Sequence, residues 1–304
     1  MEINQSNVET TIEDPNFLPK KKSPRLERVK SLMVKLVTNK MSLVGGIIVL
    51  IYFVAAVFAP WIAPYDPLGI DLPNKLQPPT ADHWMGTDDK GRDILSRIIY
   101  GSRLSLTVGV VSVLIGAFFG IALGLISGYY GKFVDTVIMR IIDVLLAFPG
   151  ILLALAIISA LGPDLINVMI AVGIFSVPTF ARIVRGSTMT LKKVEYIDAI
   201  KALGASDFRI IFLHILPNIM SPIIVQGTLR LATAILTAAG LSFLGMGAQP
   251  PSPEWGAMLS DGRTFLWSAP HVATFPGLAI AIIVIAFNLL GDGLRDALDP
   301  RMKN

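Results

Sequence analysis

Long apolar segments without charged residues constrain this chain more than any other feature of its sequence. The first of them runs from Ser42 to Ile62 and contains no Asp, Glu, Lys or Arg. A helix rises about 1.5 Å per residue, so about 20 residues are enough to cross ~30 Å of hydrocarbon. In lipid, every backbone polar group must be paired inside the protein, which favours helices for such segments. The segment therefore predicts a transmembrane helix.

Five further apolar segments of similar length follow, and they set the fold class. They lie at Leu104–Tyr129, Ile142–Leu161 and Leu165–Ala181, within Met220–Gly247, and at Val272–Leu290. Hydrophobic residues make up 53% of the 304 residues, which is too apolar for an ordinary soluble domain. The pattern predicts an all-α polytopic membrane protein with six transmembrane helices. Pro149-Gly150 predicts a break in the third span, and Pro178 predicts an interruption of the fourth.

Positive charges cluster on one side of these spans, which fixes the expected topology. Eight Lys and Arg residues lie within residues 1–40, and others occupy the stretch from Arg182 to Arg209 and the end of the chain. Because cytoplasmic loops carry an excess of Lys and Arg, we expect both termini to be cytoplasmic. Membrane topology then explains the net charge of +4 without nucleic acid as a partner. The chain has no cysteine, so it forms no disulfide.

The polar segments divide the chain into regions. Residues 1–40 are expected to form a cytosolic basic tail, and residues 41–62 form the first transmembrane helix. Residues 63–103 are expected to form an outer loop and an interfacial elbow, salt-bridged at the protein surface. Residues 104–293 form the core domain, which a polar loop at 186–219 interrupts. Residues 294–304 are interpreted as a second cytosolic tail.

One polar stretch, Glu195 to Asn218, is too charged to cross a bilayer but is built like a structured element. Its first part contains good helix formers and has acidic residues in the first turn, where they suit the helix dipole. Gly204 can adopt the left-handed conformation that stops a helix, and Ser206 can cap a second helix. Pro217 then predicts a kink. The stretch predicts a short helix, a sharp bend and a helix that turns into the membrane.

A ladder of glycines and one acid inform the packing of the spans. Gly116, Gly120, Gly124 and Gly128 stand four residues apart, which predicts close helix–helix contact in lipid. Asp143 stands near the edge of the third span, and we expect it to be paired, with Arg140 beside it.

Arg230 is open to two interpretations. If the fifth helix starts near Pro222, Arg230 lies well within the membrane, must face protein or water, and can meet a carboxylate of a passing substrate. If the span starts at Leu231, Arg230 only extends to the interface, and this second interpretation is slightly favoured.

Three motif regions together resemble a known family. The pattern Glu195-x-x-x-Ala199, then Gly204, then Leu216-Pro217 resembles the "EAA" loop of ABC-importer permeases, with Ile200 and His214 as departures. The run HILPN is common in the peptide branch. The outer runs GTDDKGRDILSR and LSFLGMGAQPPSPEWGAMLSDGR are similar to those of the oligopeptide, dipeptide and nickel importers. The chain is identified as a C-type permease subunit of that family, over residues 40–300.

The resemblance implies a type I ABC importer permease fold and a role in transport. Residues 104–293 would be the core permease domain, with a coupling loop at 186–219 that seats on an ATPase subunit. The residues implied in ATPase coupling are Glu195, Ala199, Leu203, Gly204, Leu216 and Pro217. The outer loop with Trp255 would help to dock a solute receptor, while the plainer interpretation makes Trp255 a membrane-interface anchor.

The resemblance also implies the partners, the substrate and the location. We expect a second homologous permease subunit, two ABC ATPase subunits, an extracytoplasmic peptide-binding protein and membrane lipids. The expected function is import of oligopeptides or dipeptides across the inner (plasma) membrane of a bacterium, by a multi-pass protein without cofactors. A permease for nickel or another small solute is the alternative.

The sequence contains no motif of an enzyme. No Gly-x-x-x-x-Gly-Lys-Ser/Thr phosphate loop occurs, so ATP hydrolysis is expected on separate subunits. The three histidines, His83, His214 and His271, show no metal-ligand spacing. An ion-coupled secondary transporter would place paired carboxylates or matching broken helices at mid-membrane, and the sequence shows none. A non-transporting membrane scaffold is a third class, which loss of uptake on deletion would exclude.

Overall fold

A computed structural model describes residues 33–298, and within that range the chain consists of helices and their connecting loops. We number the longer helices α1 to α9 in chain order. They are α1 (Lys40–Ile62), α2 (Ile94–Tyr130), α3 (Lys132–Ala147), α4 (Gly150–Leu161), α5 (Leu165–Leu191), α6 (Glu195–Ala202), α7 (Asp207–Phe243), α8 (Trp255–Gly262) and α9 (His271–Leu298). Residues 33–38 are also helical, and short 3-10 turns lie at Leu72–Asn74 and Arg263–Phe265.

Five of these helices are long and apolar enough to cross a membrane by themselves: α1, α2, α5, α7 and α9. The helices α3 and α4 meet the same test only as a pair and are bent by 92° at their junction. Counting the pair as one broken span gives the six predicted spans. The junction is Phe148-Pro149, so the predicted break is confirmed; the proline cannot donate the backbone hydrogen bond that would continue the helix.

The helices extend further than the apolar pattern predicted. α2 already begins at Ile94, where the Asp93 carboxylate accepts from the Ser96 amide, and it continues without a break at the expected boundary after residue 103. α5 continues through Pro178, so the predicted interruption of the fourth span is wrong. The polar side chains in these additional turns of α2 and α5 bond to other parts of the protein, and hydropathy alone does not reveal those bonds.

The glycine ladder of α2 packs directly against α5. A Cβ on Gly120 would lie 2.5 Å from the Phe180 Cβ and 2.7 Å from the Val177 carbonyl oxygen. The α5 residues that the ladder meets are also four apart: Ser176, Phe180, Val184 and Thr188. Only hydrogen fits on the glycine side, so the predicted close helix–helix contact is confirmed.

The first helix is peripheral. α1 rests on α9 through small residues, because a Cβ on Gly45 would lie 2.7 Å from the Ala286 carbonyl oxygen. Most of its large apolar side chains are exposed, as expected for a helix that faces lipid. The predicted cytosolic tails fall mainly on residues 1–32 and 299–304, which lie outside the described residues.

The loop between α1 and α2, which the sequence predicts to be an outer loop, encloses charged residues. Arg92 Nε donates to Asp88 Oδ2 at 2.6 Å, and both side chains are less than one-tenth exposed. Arg97, buried to the same degree, donates to the carbonyl oxygens of Pro67 and Pro251 at 3.1 and 3.4 Å. We call this cluster, together with the 63–93 and 248–254 segments it joins, the outer cap. The predicted elbow is salt-bridged as expected, but its charges are buried rather than at the surface.

Candidate functional site

The predicted coupling stretch folds into α6, a stop and the start of α7. Gly204 has φ +84°, in the left-handed region that favours glycine. The Gly204 amide donates to the Lys201 carbonyl at 3.0 Å and the Ala205 amide to the Ile200 carbonyl at 3.3 Å. These two bonds form a Schellman motif, which ends α6 and satisfies its last carbonyls. The predicted stop at Gly204 is confirmed.

The second helix of the stretch begins at the predicted cap and is irregular where proline was expected to disturb it. Ser206 Oγ accepts from the Arg209 amide, at 3.4 Å. Residues Ile210–Ile215 then form a π-helical turn and Leu216–Ile219 a 3-10 turn around Pro217. The freed His214 carbonyl oxygen accepts from Asn218 Nδ2 at 2.6 Å and from the Tyr196 hydroxyl at 3.4 Å. The Tyr196 bond ties α6 to α7 at the kink.

The coupling motif is two-faced. On the inner face, Ile197 is 2% exposed and packs in a cluster with residues of α2, α5 and α7. On the outer face, Leu203 is 87% exposed and Phe208 is 68% exposed. Of the predicted coupling residues, Leu216 is half-buried and the others are exposed: Glu195, Ala199, Leu203, Gly204 and Pro217. The predicted coupling residues are thus mostly exposed, and Leu203 and Phe208 keep most of their surface uncovered, although the Phe208 ring packs against Phe212 with centroids 4.4 Å apart.

A latch of polar contacts fixes this element to α2. The Tyr129 hydroxyl donates to Asp207 Oδ1 at 2.6 Å. Lys192 Nζ donates to the Tyr129 carbonyl oxygen and lies 5.3 Å from the centroid of the Tyr129 ring. Lys192 therefore satisfies a terminal carbonyl of α2, where a cation also suits the helix dipole. We call Tyr129, Asp207 and Lys192 the latch.

Two ion pairs join α3 to α5 beside the latch. Arg185 donates to both carboxylate oxygens of Asp135 at 2.5 and 2.6 Å, and Ser127 donates to the same carboxylate at 2.5 Å. Arg182 pairs with Asp143 at 2.7 Å. Asp143 is thus paired as predicted, but its partner is Arg182 of α5, and the predicted contact with Arg140 is wrong.

Sequence reasoning did not assign a role to Tyr129, Asp207 or Asp135. Their only signal was polarity at helix ends: Asp207 follows a capping serine, and Asp135 stands in the first turn of α3. Tyr129 and Asp207 lie 78 positions apart, and Asp135 lies 50 positions from Arg185, so no local pattern specifies these contacts.

Arg230 lies in the middle of a helix. α7 begins at Asp207 and is continuous through Arg230, so Arg230 lies within the helix, as it would if the helix started near Pro222. Both interpretations of its depth in the membrane stay predictions. The half-buried side chain donates to Thr179 Oγ1 of α5 and lies 5.9 Å from the centroid of the Phe175 ring.

Trp255 is completely buried. Its indole Nε1 donates to the Ile98 carbonyl oxygen at 3.0 Å, and its ring packs edge-on against Tyr52, with centroids 5.5 Å apart. Both predicted roles, interface anchor and receptor contact, require an exposed ring. In this structure Trp255 instead packs α1, α2 and the outer cap together.

Two acids near Trp255 have perturbed titration. Glu254 is buried and caps α8, where its carboxylate accepts from the Ala257 amide at 2.9 Å and from the Ser105 hydroxyl at 3.3 Å. Burial raises the pKa of Glu254 despite these bonds. Burial likewise raises the pKa of Asp261, and the charge of Asp89 adds to the effect. Over residues 33–298, no cluster of His, Cys, Asp or Glu is suited to hold a metal ion.

Comparison with known proteins gives the family. Residues 120–304 match the model of the binding-protein-dependent transport system inner membrane component, and residues 30–79 match the N-terminal transmembrane domain of oligopeptide transport permease C. The chain is 54% identical over 282 residues to a dipeptide transport system permease protein of Alkalihalophilus pseudofirmus, covering 93% of this chain and 91% of that one. It is 51% identical over 265 residues to a glutathione transport system permease protein of Pectobacterium atrosepticum, covering 87% and 88%.

A solved structure supports the fold independently. The inward-facing MetNI methionine ABC transporter contains a chain that matches with a TM-score of 0.54 at 19% identity, over 68% of this chain and 98% of that one. The predicted type I ABC importer permease fold is therefore confirmed. The apolar helices and the permease relatives also support a multi-pass inner-membrane protein. The chain belongs to the family of binding-protein-dependent transport system inner membrane components, as an ABC permease subunit of the oligopeptide permease C group.

Proposed function

We propose that this chain is a transmembrane permease subunit of an ATP-driven importer that carries dipeptides or oligopeptides into a bacterial cell. The observation that carries the proposal is the two-faced coupling element, whose inner face packs on the spans while Leu203 and Phe208 remain exposed. The identity to a dipeptide permease supports peptides as the cargo. The glutathione permease among the relatives transports another small peptide, which agrees with this class.

The proposed complex contains this chain, a second homologous permease, two ABC ATPase subunits and an extracytoplasmic peptide-binding protein. Both termini lie in the cytoplasm, so α6 faces the ATPases and the outer cap faces the receptor. The exposed coupling residues Glu195, Ala199, Leu203 and Gly204 seat on an ATPase, with Pro217 and Leu216 at the kink behind them. Large apolar side chains exposed beside polar ones are typical of a protein–protein contact.

Movement of α6 reaches the membrane spans through the contacts behind it. The Tyr196 bond and the buried Ile197 hold α6 on α7, and the latch holds the start of α7 on α2. The ion pairs of Arg185 and Arg182 then connect α5 to α3. A packed element with these connections moves as a unit, so ATP-driven closure of the ATPases shifts the spans between two arrangements.

Arg230 stays a proposed pathway residue. It lies mid-helix and half-buried, on the face of α7 that meets α5. An arginine at such a depth must face protein or water, and in a transporter such residues mark the route of the cargo. Normal transport by an Arg230→Ala variant would contradict this role.

The first test of the function is the composition of the purified complex. The tagged chain, extracted in mild detergent, is expected to recover the ATPases, a second permease and the receptor, identified by mass spectrometry. Peptide bound to the receptor would identify the cargo. Recovery of the chain alone, combined with ion-driven uptake after reconstitution, would refute an ABC importer.

The second test addresses coupling through Gly204. A Gly204→Val variant is expected to hydrolyse ATP with little peptide uptake, because a β-carbon strains the left-handed turn that positions α6. Gly245→Val is the matched control: Gly245 has φ +79°, and a Cβ at either glycine meets nothing within 4 Å. Both variants carry similar backbone strain, but only Gly204 lies in the coupling element. Equal ATP consumption per peptide in the two variants would sink the coupling role.

A further inference from the structure

A cleft of about 540 Å³ opens between α5, α7 and the end of α9. It adjoins a second opening beside the coupling stretch, and the two share Ile183, Asn218 and Pro222. The α5 wall belongs to a stripe of half-buried residues spaced four apart: Phe175, Thr179, Ile183 and Ser187. Residues four apart share one face of a helix, so Thr179 and Phe175 lie on the same face of α5 as Ile183, which lines the cleft.

Arg230 and Thr179 lie one helical turn beyond residues that line that cleft. Gln226 lines the cleft on α7, and Arg230 stands one turn beyond it; Ile183 lines it on α5, and Thr179 stands one turn beyond. The hydrogen bond from Arg230 to Thr179 therefore joins α7 to α5 one turn beyond those residues.

The guanidinium has donor capacity that its neighbours do not use. It carries five N–H donors, and its contacts within residues 33–298 are the Thr179 hydroxyl and the face of Phe175. No carboxylate of the described residues lies within ion-pair distance of it. A half-buried charge without a counter-charge is costly, and an anionic group that enters the cleft relieves that cost.

Phe175 fixes the position of the guanidinium from behind. A Cβ on Gly150 would lie 2.2 Å from the Phe175 ring, so the ring rests directly on the first residue of α4 at the 92° bend. A ring held in this way offers a steady face to a cation. The arginine fork is thus oriented before any ligand arrives, which lowers the cost of binding.

We propose that Arg230, Thr179 and Phe175 form a carboxylate-binding site that receives the C-terminal carboxylate of the transported peptide. The inference rests on the proposed function and names the chemistry of its cargo site. Planar guanidinium and carboxylate groups match in a two-bond fork, and the Thr179 hydroxyl can also donate to an oxygen. The cleft itself is lined by apolar residues, by small polar residues and by Arg295 near the end of α9, and these walls leave the peptide side chains unspecified.

Transport of two related peptides by the reconstituted complex tests the site. One probe is a dipeptide with a free carboxylate and the other is its C-terminal amide. The Arg230→Gln variant is expected to reduce the initial uptake rate of the free acid at least about tenfold and that of the amide less than about twofold, each relative to wild type. The same receptor serves every variant, so its own preference cancels in these ratios.

Two further variants calibrate that result. Arg230→Lys is expected to retain part of the discrimination, because it keeps the charge but loses the fork. Arg263→Gln is the matched control, since Arg263 also stacks on a ring, 5.8 Å from the Phe243 centroid, but lies outside the cleft. Equal loss for acid and amide in Arg230→Gln would overturn the site. Loss of the second permease on purification would also overturn it and assign Arg230 to a subunit contact.

Cysteine labelling tests the site without transport. The chain contains no cysteine, so Gln226→Cys places a single thiol in it, one turn from Arg230. An anionic methanethiosulfonate reagent is expected to react faster relative to a cationic one when Arg230 is present than in the double variant with Arg230→Gln. The free-acid dipeptide is expected to slow the labelling more than its amide does.

The two assays separate the possible failures. If the wild-type complex shows no ATP-driven uptake, the proposed function fails, while the labelling ratio still decides whether Arg230 attracts anions. If uptake is normal and the labelling ratio does not depend on Arg230, the carboxylate site alone is refuted.

Discussion

The outer cap and the coupling element are both polar regions at the ends of the spans, but they treat their side chains in opposite ways. In the outer cap, Asp88, Arg92 and Arg97 are almost fully enclosed and bond to one another or to backbone carbonyls. In the coupling element, Leu203 and Phe208 project outward with most of their surface exposed. The outer cap pairs its buried charges internally, whereas the coupling element exposes apolar surface that a partner protein would bury.

We infer that the difference separates residues that build the scaffold from residues that transmit movement in the proposed importer. Buried charges are tolerated only with good partners, and a region that encloses them has one stable arrangement. Exposed apolar groups on a short helix cost little in stability and gain their free energy on association. Substitutions in the outer cap should therefore affect folding, and those in the coupling element should affect assembly and coupling.

The largest effect is expected for Arg92→Ala. Removing Arg92 leaves Asp88 with the longer contact to Arg97, at 3.5 Å, as its remaining ion pair, and breaking a buried ion pair costs about 3–5 kcal/mol in the free energy of unfolding. The purified chain should lose thermal stability and yield. Asp89→Ala is the control, because the Asp89 side chain is 32% exposed and its contact with Arg92 is weak. The Asp89 Oδ1 atom lies 3.7 Å from Arg92 Nη2. Equal stability of the two variants would show that the outer cap is not a scaffold.

A large effect on assembly, with little effect on stability, is expected for Leu203→Asp. Leu203 is 87% exposed, so the substitution removes no internal contact, but it places a charge in the proposed ATPase interface. Recovery of the ATPases with the tagged chain should fall at least about tenfold, in line with the loss of a contact of about 1.4 kcal/mol or more. Trp267→Asp is the control, because Trp267 is fully exposed in the loop before α9, at the opposite end of α7 from the coupling element. If recovery of the ATPases with Leu203→Asp stays at the wild-type level, the proposed ATPase interface is refuted.

Several elements could be predicted from the sequence because their causes are local. The spans follow from apolar length, the stop at Gly204 from the conformational freedom of glycine, and the kink at Pro217 from its missing amide. The break at Pro149 has the same cause. The glycine ladder also predicted its own close packing, since small residues four apart leave room for one neighbouring helix.

The remaining features depend on residues far apart in the chain. Contacts with α5, α1 and the outer cap set three such features. They are the length of α2, the partner of Asp143 and the burial of Trp255. The early start of α7 was missed for the same reason. Polar residues such as Asn218 reduce the hydropathy there, yet Asn218 satisfies the kink, so the helix continues past it to Arg230.

A smaller effect, on coupling, is expected for Tyr129→Phe. The substitution removes the hydroxyl that bonds Asp207 at 2.6 Å and keeps the ring in place. A bond to a charged group contributes about 1.5–3 kcal/mol, so the latch should loosen without unfolding the chain. ATP hydrolysed per peptide should rise severalfold, while the ATPases still co-purify.

Tyr130→Phe is the matched control for the latch. Tyr130 is the next residue, it is half-exposed, and its ring packs edge-on against Tyr129 at 5.2 Å. If both variants use the same amount of ATP per peptide as wild type, the latch does not transmit movement, and the comparison between a scaffold and a transmitting region would weaken.

The smallest effect concerns Glu254, a buried acid of the outer cap that forms no salt bridge with the described residues. Burial raises the pKa of Glu254 above its value in the unfolded chain, so the folded protein binds this proton more tightly. The stabilisation is fully present below the unfolded pKa of about 4.3 and is lost as the pH rises through the folded pKa. Glu254→Gln stays neutral at every pH and should therefore gain thermal stability relative to wild type as the pH increases.

Thermal unfolding of the purified chain between about pH 4 and pH 8 measures this difference. Glu195→Gln is the control, because it makes the same substitution at an exposed site in the coupling element. If the pH profile of thermal stability for Glu254→Gln runs parallel to that of wild type, the region tolerates an ionised, unpaired acid. The outer cap would then not pair all of its own polar groups, because water or a partner would have to reach Glu254. The outer cap and the coupling element would then differ only in how far each depends on outside contacts.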